Sequence, residues 1–341
     1  MKTVAFLLIP FSWIYSSVLW LRNFLFDKGV FISVESPLPT IVIGNLEFGG
    51  TGKTPVTDYV LKRLAPSKRV GLLSRGYGRK TQGFITVEIN DNALMSGDEP
   101  LMLKIRNPEV SVAVCENRFD GIEKMLRIYE SLDFIVADDA MQHRRLVGKL
   151  NLLCTLWDKP FFSNRVFPAG TLRDHPVRAG AAEIILVNKC PNQISDEQLT
   201  NFKKRIPKSL ENKKFVFTYL RYSPLESASG TPISTEGKKI VLLTGIARPY
   251  YLVRYVQDVY GPIYRHLKYS DHHLFSNTDL NLIEKFTAPE FIILTTEKDL
   301  MRLAPFQEKK LRGLLIVPVK IELGFHADGQ KVLDTTLAAI S

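Results

Sequence analysis

The sequence predicts a layered α/β fold: a parallel sheet with helices on both faces, a smaller α/β domain toward the C-terminal end, and an apolar helix at the start. Three observations carry this. Short runs rich in Val, Ile and Leu alternate with stretches of helical spacing through the first two hundred residues. Such uninterrupted apolar runs between helices mark strands buried on both faces. A second series of the same kind begins near residue 239, after a polar stretch from about 195 to 238. The chain also opens on a run of eighteen uncharged residues, 4–21.

In chain order the expected strands are 40–44, 69–73, 84–89, 110–114, 133–137, 150–155 and 183–188, with helices at 53–64, 98–106 and 117–130. "FVFTYLRY" is one further strand in the polar stretch. The second series has strands at 239–244, 291–295 and 313–319 and helices at 247–259 and 297–303, and "VKIELGF" is expected to close it. The division predicted is 1–28 for the apolar helix, 29–220 for the main core and 221–341 for the smaller domain. Parallel sheets place their sites at the carboxyl ends of strands, and most of the polar motifs fall there.

The 341-residue chain is 45% hydrophobic and 23% charged, enough to bury a sizeable core. Its formal net charge of +10 favours anionic partners such as nucleotides, phospholipid headgroups or acidic substrates. No aromatic-interleaved basic repeat or nucleic-acid motif is present, so nucleic acid is not an expected partner. Cys115, Cys154 and Cys190 sit in or at the ends of apolar runs with no CxxC spacing. They read as buried reduced thiols in a reducing compartment. The six histidines form no HxxxH or Cys/His cluster, so no structural metal site is expected.

The opening run is close to the ~20 residues that span a bilayer. Pro10, Ser12, Ser16 and Ser17 interrupt it, and Trp13, Tyr15 and Trp20 are interfacial residue types. A helix lying in one leaflet fits best. A spanning anchor, a helix packed on the domain and a cleaved signal are the competing readings.

"GNLEFGGTGKTP", 44–55, follows the strand "TIVI". In the GxxxxGK[ST] phosphate loop the first glycine would stand where this chain has Glu47. The working parts remain. Gly49, Gly50, Thr51 and Gly52 allow tight backbone whose N–H groups wrap phosphates. Lys53 reaches the β and γ oxygens, and Thr54 offers a hydroxyl to Mg²⁺. The following helix adds its positive end, and Pro55 in the first turn sacrifices no hydrogen bond. The fold class is therefore P-loop NTPase-like. "DFIVADD" ends a strand in Asp138 and Asp139. Adjacent carboxylates there repel without a nearby cation, which points to Mg²⁺ on one of them.

Further loops exceed what a simple NTPase needs: "LLSRGYGRK" with Arg75, Tyr77 and Arg79; "SGDEP" with Asp98 and Glu99 at a helix start; "CENR" with Arg118; "DDAMQHRRL" with His143; "FPAGTLRDHP" with Arg173; and "YSDHHLF" with Asp271 and His272. Taken singly, about half of such loops would be surface turns, and a capping role is the plain alternative for Asp98.

Together and in this order, "GNLEFGGTGKTP", "SRGYG", "GDEP", "DDAMQHRRL", "PAGTLR", "DHH" and "TEKD" resemble the lipid A 4'-kinase (tetraacyldisaccharide 4'-kinase) family, from the apolar helix to about residue 303. Two positions depart from the family pattern: Met141 stands where Phe or Tyr is usual, and Thr171 where proline is usual. The resemblance implies transfer of the γ-phosphate of ATP to the 4'-hydroxyl of a tetraacyl glucosamine disaccharide 1-phosphate, at the cytoplasmic face of the inner membrane. An acylated acceptor would account for the apolar helix, and a two-domain cleft would exclude water. No protein partner is implied. Carried over by motif, Asp98 is the general base, and His272 pairs with it, raising its basicity or relaying the proton. Lys53 and Arg173 neutralise the moving phosphoryl group. Thr54 with Asp138 or Asp139 handles Mg²⁺. Tyr77, Arg118 and His143 orient the headgroup or the carboxylates. Lys298 and Asp299 of "TTEKD" are either a structural turn or nucleotide contacts.

Two rivals compete. One is a membrane-associated P-loop NTPase switch without a small-molecule acceptor, which has no use for an Asp/His pair. "ILVNKCP" resembles the guanine-reading NKxD, but its aspartate position is Pro191. The other is a kinase of a soluble small molecule, which leaves the apolar helix unexplained.

Overall fold

The computed structural model describes residues 7–227 and 230–340. Residues 1–6, and with them the start of the apolar run and of the expected first segment, lie outside the described residues. The chain forms two compact units. The larger comprises 1–75, 109–221 and 323–341, and the smaller 76–108 and 222–322. This interleaved division differs from the linear one expected. Residues 76–108 leave the main core and join the smaller unit, while the C-terminal segment returns to the larger.

In the larger unit, neighbouring strands across the sheet are Lys214–Tyr222, Ile184–Asn188, Leu150–Leu156, Thr40–Asn45, Phe134–Asp138, Val70–Ser74 and Ser111–Val114. These neighbours pair in parallel. Every residue of Thr40–Asn45, Val70–Ser74, Phe134–Asp138 and Ile184–Asn188 is buried, as strands covered on both faces must be. "VKIELGF" does not close the smaller domain. It forms Ile321–Phe325, which enters the larger unit at Leu323 and edges its sheet beside Lys214–Tyr222. All three cysteines are buried and unpaired.

The smaller unit holds a four-stranded sheet in the order Ile263–Lys268, Lys239–Thr244, Phe291–Thr296, Ile316–Val319, all neighbours parallel. Alternate residues of Lys239–Thr244 serve opposite faces. Ile240 and Leu242 pack with Leu252 and Val256 of helix Tyr250–Tyr260. Val241 and Leu243 pack with Leu280, Ile283 and Leu303 of helices Asn277–Glu284 and Glu297–Gln307. Helix Asp98–Arg106 packs on Glu297–Gln307, tied by the Arg106–Glu297 and Lys298–Glu99 ion pairs.

The N-terminal helix Ile9–Asp27 carries its polarity inside out. Trp13, Ile14 and Val18 are each 60% or more exposed, with Phe11, Trp20, Leu21 and Phe24 also outward. The buried residues are Leu19 and two polar ones, Ser12 and Asn23. Ser12 Oγ accepts the Ala169 N–H at 2.8 Å, and Asn23 Nδ2 donates to Asp174 at 3.3 Å. Among the described residues no helix is long and apolar enough to cross a membrane.

Candidate active site

A glycine-rich loop joins strand Thr40–Asn45 to helix Lys53–Leu64. Gly49, Gly50 and Gly52 have φ of 68°, 44° and 85°, a left-handed run that glycine adopts without strain. A side chain at Gly52 would also come within 3.0 Å of Asn188. That asparagine braces the loop: its Nδ2 donates to the Thr51 and Gly52 carbonyls at 2.8 and 3.3 Å, and its Oδ1 accepts from Thr218 at 2.7 Å. The "NKCP" segment is thus a support for the glycine loop.

Glu47, in the place of the usual first glycine, is buried and accepts from Asn164 Nδ2 at 2.9 Å. It also bridges to Leu172. The Phe48 N–H donates to Thr171 O and the Arg173 N–H to Leu46 O, both at 2.8 Å. The departure from the usual motif therefore fastens the glycine loop to the segment that carries Arg173. Thr171 takes part through its own carbonyl and through its hydroxyl, which accepts from Asn164 at 2.6 Å. Met141 is buried where strand residue Gly44 approaches it so closely that a Cβ on Gly44 would meet Met141 Cβ at 2.5 Å.

The two adjacent aspartates face different partners. Asp138 is buried and accepts from Thr57 Oγ1 at 3.0 Å and Ser74 Oγ at 3.4 Å. Asp139, in left-handed backbone at φ 48°, takes both arms of the Arg173 guanidinium and lies 3.5 Å from Lys53 Nζ. Burial alone would raise the Asp139 carboxyl, but Lys53 and Arg173 hold it well below the usual range. The cation that adjacent carboxylates require is therefore supplied by the protein itself, so their adjacency alone does not call for a metal. Asn45 joins the cluster, accepting from Lys53 at 3.3 Å and from Arg173.

Arg118 is buried. It donates to the carbonyls of Cys115, Glu116, Asp138 and Asp139 at 2.7–3.4 Å, tying together the ends of two strands. Of the two roles expected for it, these bonds suit the orienting of the carboxylate segment. Burial brings its pKa down to about 10. Burial, then Arg118 and Arg75, push the His143 imidazole down to about 4, so it is neutral at pH 7.

Two hard-oxygen groups are available, the Thr54 hydroxyl at the start of helix Lys53–Leu64 and the Asp138 carboxylate at the end of strand Phe134–Asp138. Among the described residues no group of three or more His, Cys, Asp or Glu could hold a metal ion. The donors present fit Mg²⁺, which binds through one or two carboxylates together with phosphate oxygens rather than in an all-protein cage.

The smaller unit holds the second constellation. Gly97, at φ 92°, turns the chain into helix Asp98–Arg106. Asp98 is the first helical residue, and its side chain is almost fully buried. Nδ1 of His272 lies 3.0 and 3.1 Å from its two oxygens. A carboxylate only accepts, so Nδ1 carries the proton. His272 is in left-handed backbone at φ 53°, held by its N–H donating to Gly245 O at 3.1 Å. The Tyr77 ring lies 4.7 Å from the imidazole, and Tyr77 is 66% exposed. Burial opposes the charge on both partners. Their mutual bond overrides it, lowering the Asp98 pKa and raising that of His272. Lys298 pairs with Glu99, and Asp299 accepts the Gly245 N–H at 2.9 Å, so the "TEKD" residues brace the smaller unit.

The structure thus gathers Gly49–Thr54, Asp138, Asp139, Arg118, His143 and Arg173 in the larger unit and Asp98, His272 and Tyr77 in the smaller. Sequence reasoning missed Asn45 and Asn188. Each is an ordinary strand-end asparagine; the loop Asn188 braces is distant in the chain, and Asn45 is tied both to the adjacent loop and to the distant Arg173.

Strand, left-handed glycine loop, helix with a leading Lys-Thr, and a neighbouring strand ending in paired aspartates define a P-loop fold of the phosphate-binding class. The family model described as tetraacyldisaccharide-1-P 4'-kinase matches residues 4–338. A tetraacyldisaccharide 4'-kinase of Cytophaga hutchinsonii is 34% identical, the match covering 96% of this chain and 94% of that protein. One of Flavobacterium johnsoniae is 37% identical, with 92% and 91% covered. A crystal structure of the "apo" form of LpxK from Aquifex aeolicus in complex with ATP shares the fold, with a TM-score of 0.77 at 24% identity over 99% of each chain. The chain belongs to the tetraacyldisaccharide-1-P 4'-kinase family.

Proposed function

We infer that this chain is an ATP-dependent kinase that phosphorylates the 4'-hydroxyl of a tetraacyl glucosamine disaccharide 1-phosphate, a step of lipid A synthesis. The observation that carries this beyond nucleotide binding is the Asp98–His272 pair. A nucleotide switch has no use for such a pair, whereas transfer to an alcohol requires a base.

The glycine-loop amides and the start of helix Lys53–Leu64 hold the triphosphate. Lys53 and Arg173, which Asp139 already gathers side by side, neutralise charge on the transferring group. Thr54 and Asp138, with Asp139 beside them, would hold Mg²⁺, which when bound screens the β and γ oxygens. The buried Asp98 carboxylate keeps the charge while the more exposed His272 relays the acceptor proton. The acceptor oxygen then bonds to the γ-phosphorus as the bond to the bridging oxygen breaks, and ADP leaves. Arg118 keeps the acidic strand end in place, and exposed Tyr77 flanks the imidazole as a headgroup contact.

The outward apolar face of helix Ile9–Asp27 supports seating in one leaflet at the cytoplasmic face of the inner membrane, where ATP is available. Exposed Val30, Phe31 and Ile32 follow the helix. Phe167 touches both Tyr15 of the helix and Phe48 of the glycine loop, so apolar side chains run from the helix to the phosphate loop. An amphiphilic acceptor fits that arrangement; a soluble one does not need it.

Incubation with γ-labelled ATP and detergent-dispersed disaccharide lipid tests the reading. Label in the lipid is expected. Release of free phosphate alone, with no dependence on lipid, would favour the switch.

A further inference from the structure

We propose that Arg302 is a positioning residue for the Asp98–His272 pair, fixing the carboxylate by charge and the histidine by holding the two backbone segments that flank it. The inference rests on the reading of that pair as the proton acceptor.

Arg302 lies one turn into helix Glu297–Gln307, and its side chain is 3% exposed. A guanidinium so deep is costly unless its donors are used, and here they are. Nε is 3.3 Å from Asp98 Oδ2 and donates to the Lys298 carbonyl. One terminal nitrogen donates to His273 O at 3.1 Å. The other donates to Gly245 O at 2.9 Å and Asp299 Oδ1 at 2.6 Å. Gly245 O is also the acceptor of the His272 N–H. The same planar group therefore holds the carbonyl that anchors His272, the carbonyl of the residue after it, and the oxygen of Asp98 that His272 meets at 3.0 Å. Lysine cannot reproduce that fork.

The charged and titratable groups around Asp98 are His272 and Asp271 from the loop, Lys298, Asp299 and Arg302 from helix Glu297–Gln307, and Glu99 from its own helix. Lys298 is engaged by Glu99, and Asp299 is tied to Thr296 and to Gly245. Arg302 is the cation in direct contact with the Asp98 carboxylate besides His272. Removing it favours the protonated form whichever partner carries the proton, so the acid limb of activity moves to higher pH.

The test is the pH profile of kcat and KM for Arg302→Met and Arg302→Lys in the full chain, with labelled ATP and lipid. For Arg302→Met the acid limb is expected to rise by about one pH unit and kcat to fall roughly tenfold or more, with KM for ATP within about twofold of the parent. Arg302→Lys keeps the charge and should return the limb toward its original position while kcat stays reduced. Where Arg302→Met does not fold, Arg302→Gln, which keeps amide donors but not the charge, carries the same measurement. A folded variant with unmoved limb and unmoved kcat overturns the proposal. Asp98→Ala separates the two levels: full turnover there overturns the reading of the pair, whereas loss of turnover there with an unmoved Arg302→Met profile overturns only the role of Arg302.

Discussion

The two units hold their central carboxylates in opposite ways. In the larger, Asp139 sits at a loop of left-handed backbone and is matched by Lys53 and Arg173, two cations from segments far apart in the chain. In the smaller, Asp98 begins a regular helix and is matched by a histidine and a buried arginine. Lysine and arginine stay charged through the physiological range, so the first site is a fixed electrostatic frame. Histidine titrates within it, so the second can accept and release a proton. One geometry is suited to holding a polyanion and the other to moving hydrogen.

Substitutions can break or sharpen this contrast. The largest effect is expected from Asp98→Ala, with turnover falling about 10²-fold or more while ATP affinity, read by equilibrium binding, is retained. A matching loss of ATP affinity would show that the smaller unit also serves the nucleotide and would erase the distinction. Arg173→Ala should lower turnover by roughly 10²-fold without moving the acid limb, because it touches no part of the titrating pair. Asn188→Ala acts through the loop alone. It strips the brace from the Thr51 and Gly52 carbonyls, and urea unfolding should show a loss of about 1–3 kcal/mol, with a rise in KM for ATP.

The pH dependence follows from the same contrast. The bond to Asp98 raises the His272 pKa above its ordinary value of 6.5. The protonated imidazole is thus favoured below that value, and the relay opens as pH rises through the shifted one. The acid limb of kcat/KM should accordingly lie above pH 6.5, and Asp98→Asn, which removes the charge that raises the imidazole, should move any residual limb downward.

Legibility in the sequence divides along the same line. The phosphate loop was readable because its function needs contiguous residues: three glycines, then Lys53 and Thr54, after a β-branched strand. The buried strands of both sheets were readable for a related reason, since burial on both faces forces continuous apolar runs. Ile263–Lys268 escaped because an edge strand, "IYRHLK", has an exposed side that reads as polar. The bond between Asp98 and His272 spans 174 positions, and no local pattern announces it. Only the family resemblance joined them. Asn188 and Arg302 had no signal, because the groups they brace lie in distant segments: the Thr51 and Gly52 carbonyls for Asn188, and the Gly245 and His273 carbonyls and the Asp98 carboxylate for Arg302. The linear domain division differed from the compact units because residues 76–108 branch out of one α/β series to pack with the other.

The most direct measurement compares two acceptors that differ only at the sugar 4'-position, one bearing the hydroxyl and one deoxy, each dispersed with the protein, magnesium and γ-labelled ATP. Label should enter the hydroxyl-bearing lipid as a new phosphomonoester and be absent from the deoxy lipid. Equal phosphate release with either lipid, and none retained on the sugar, would contradict the account.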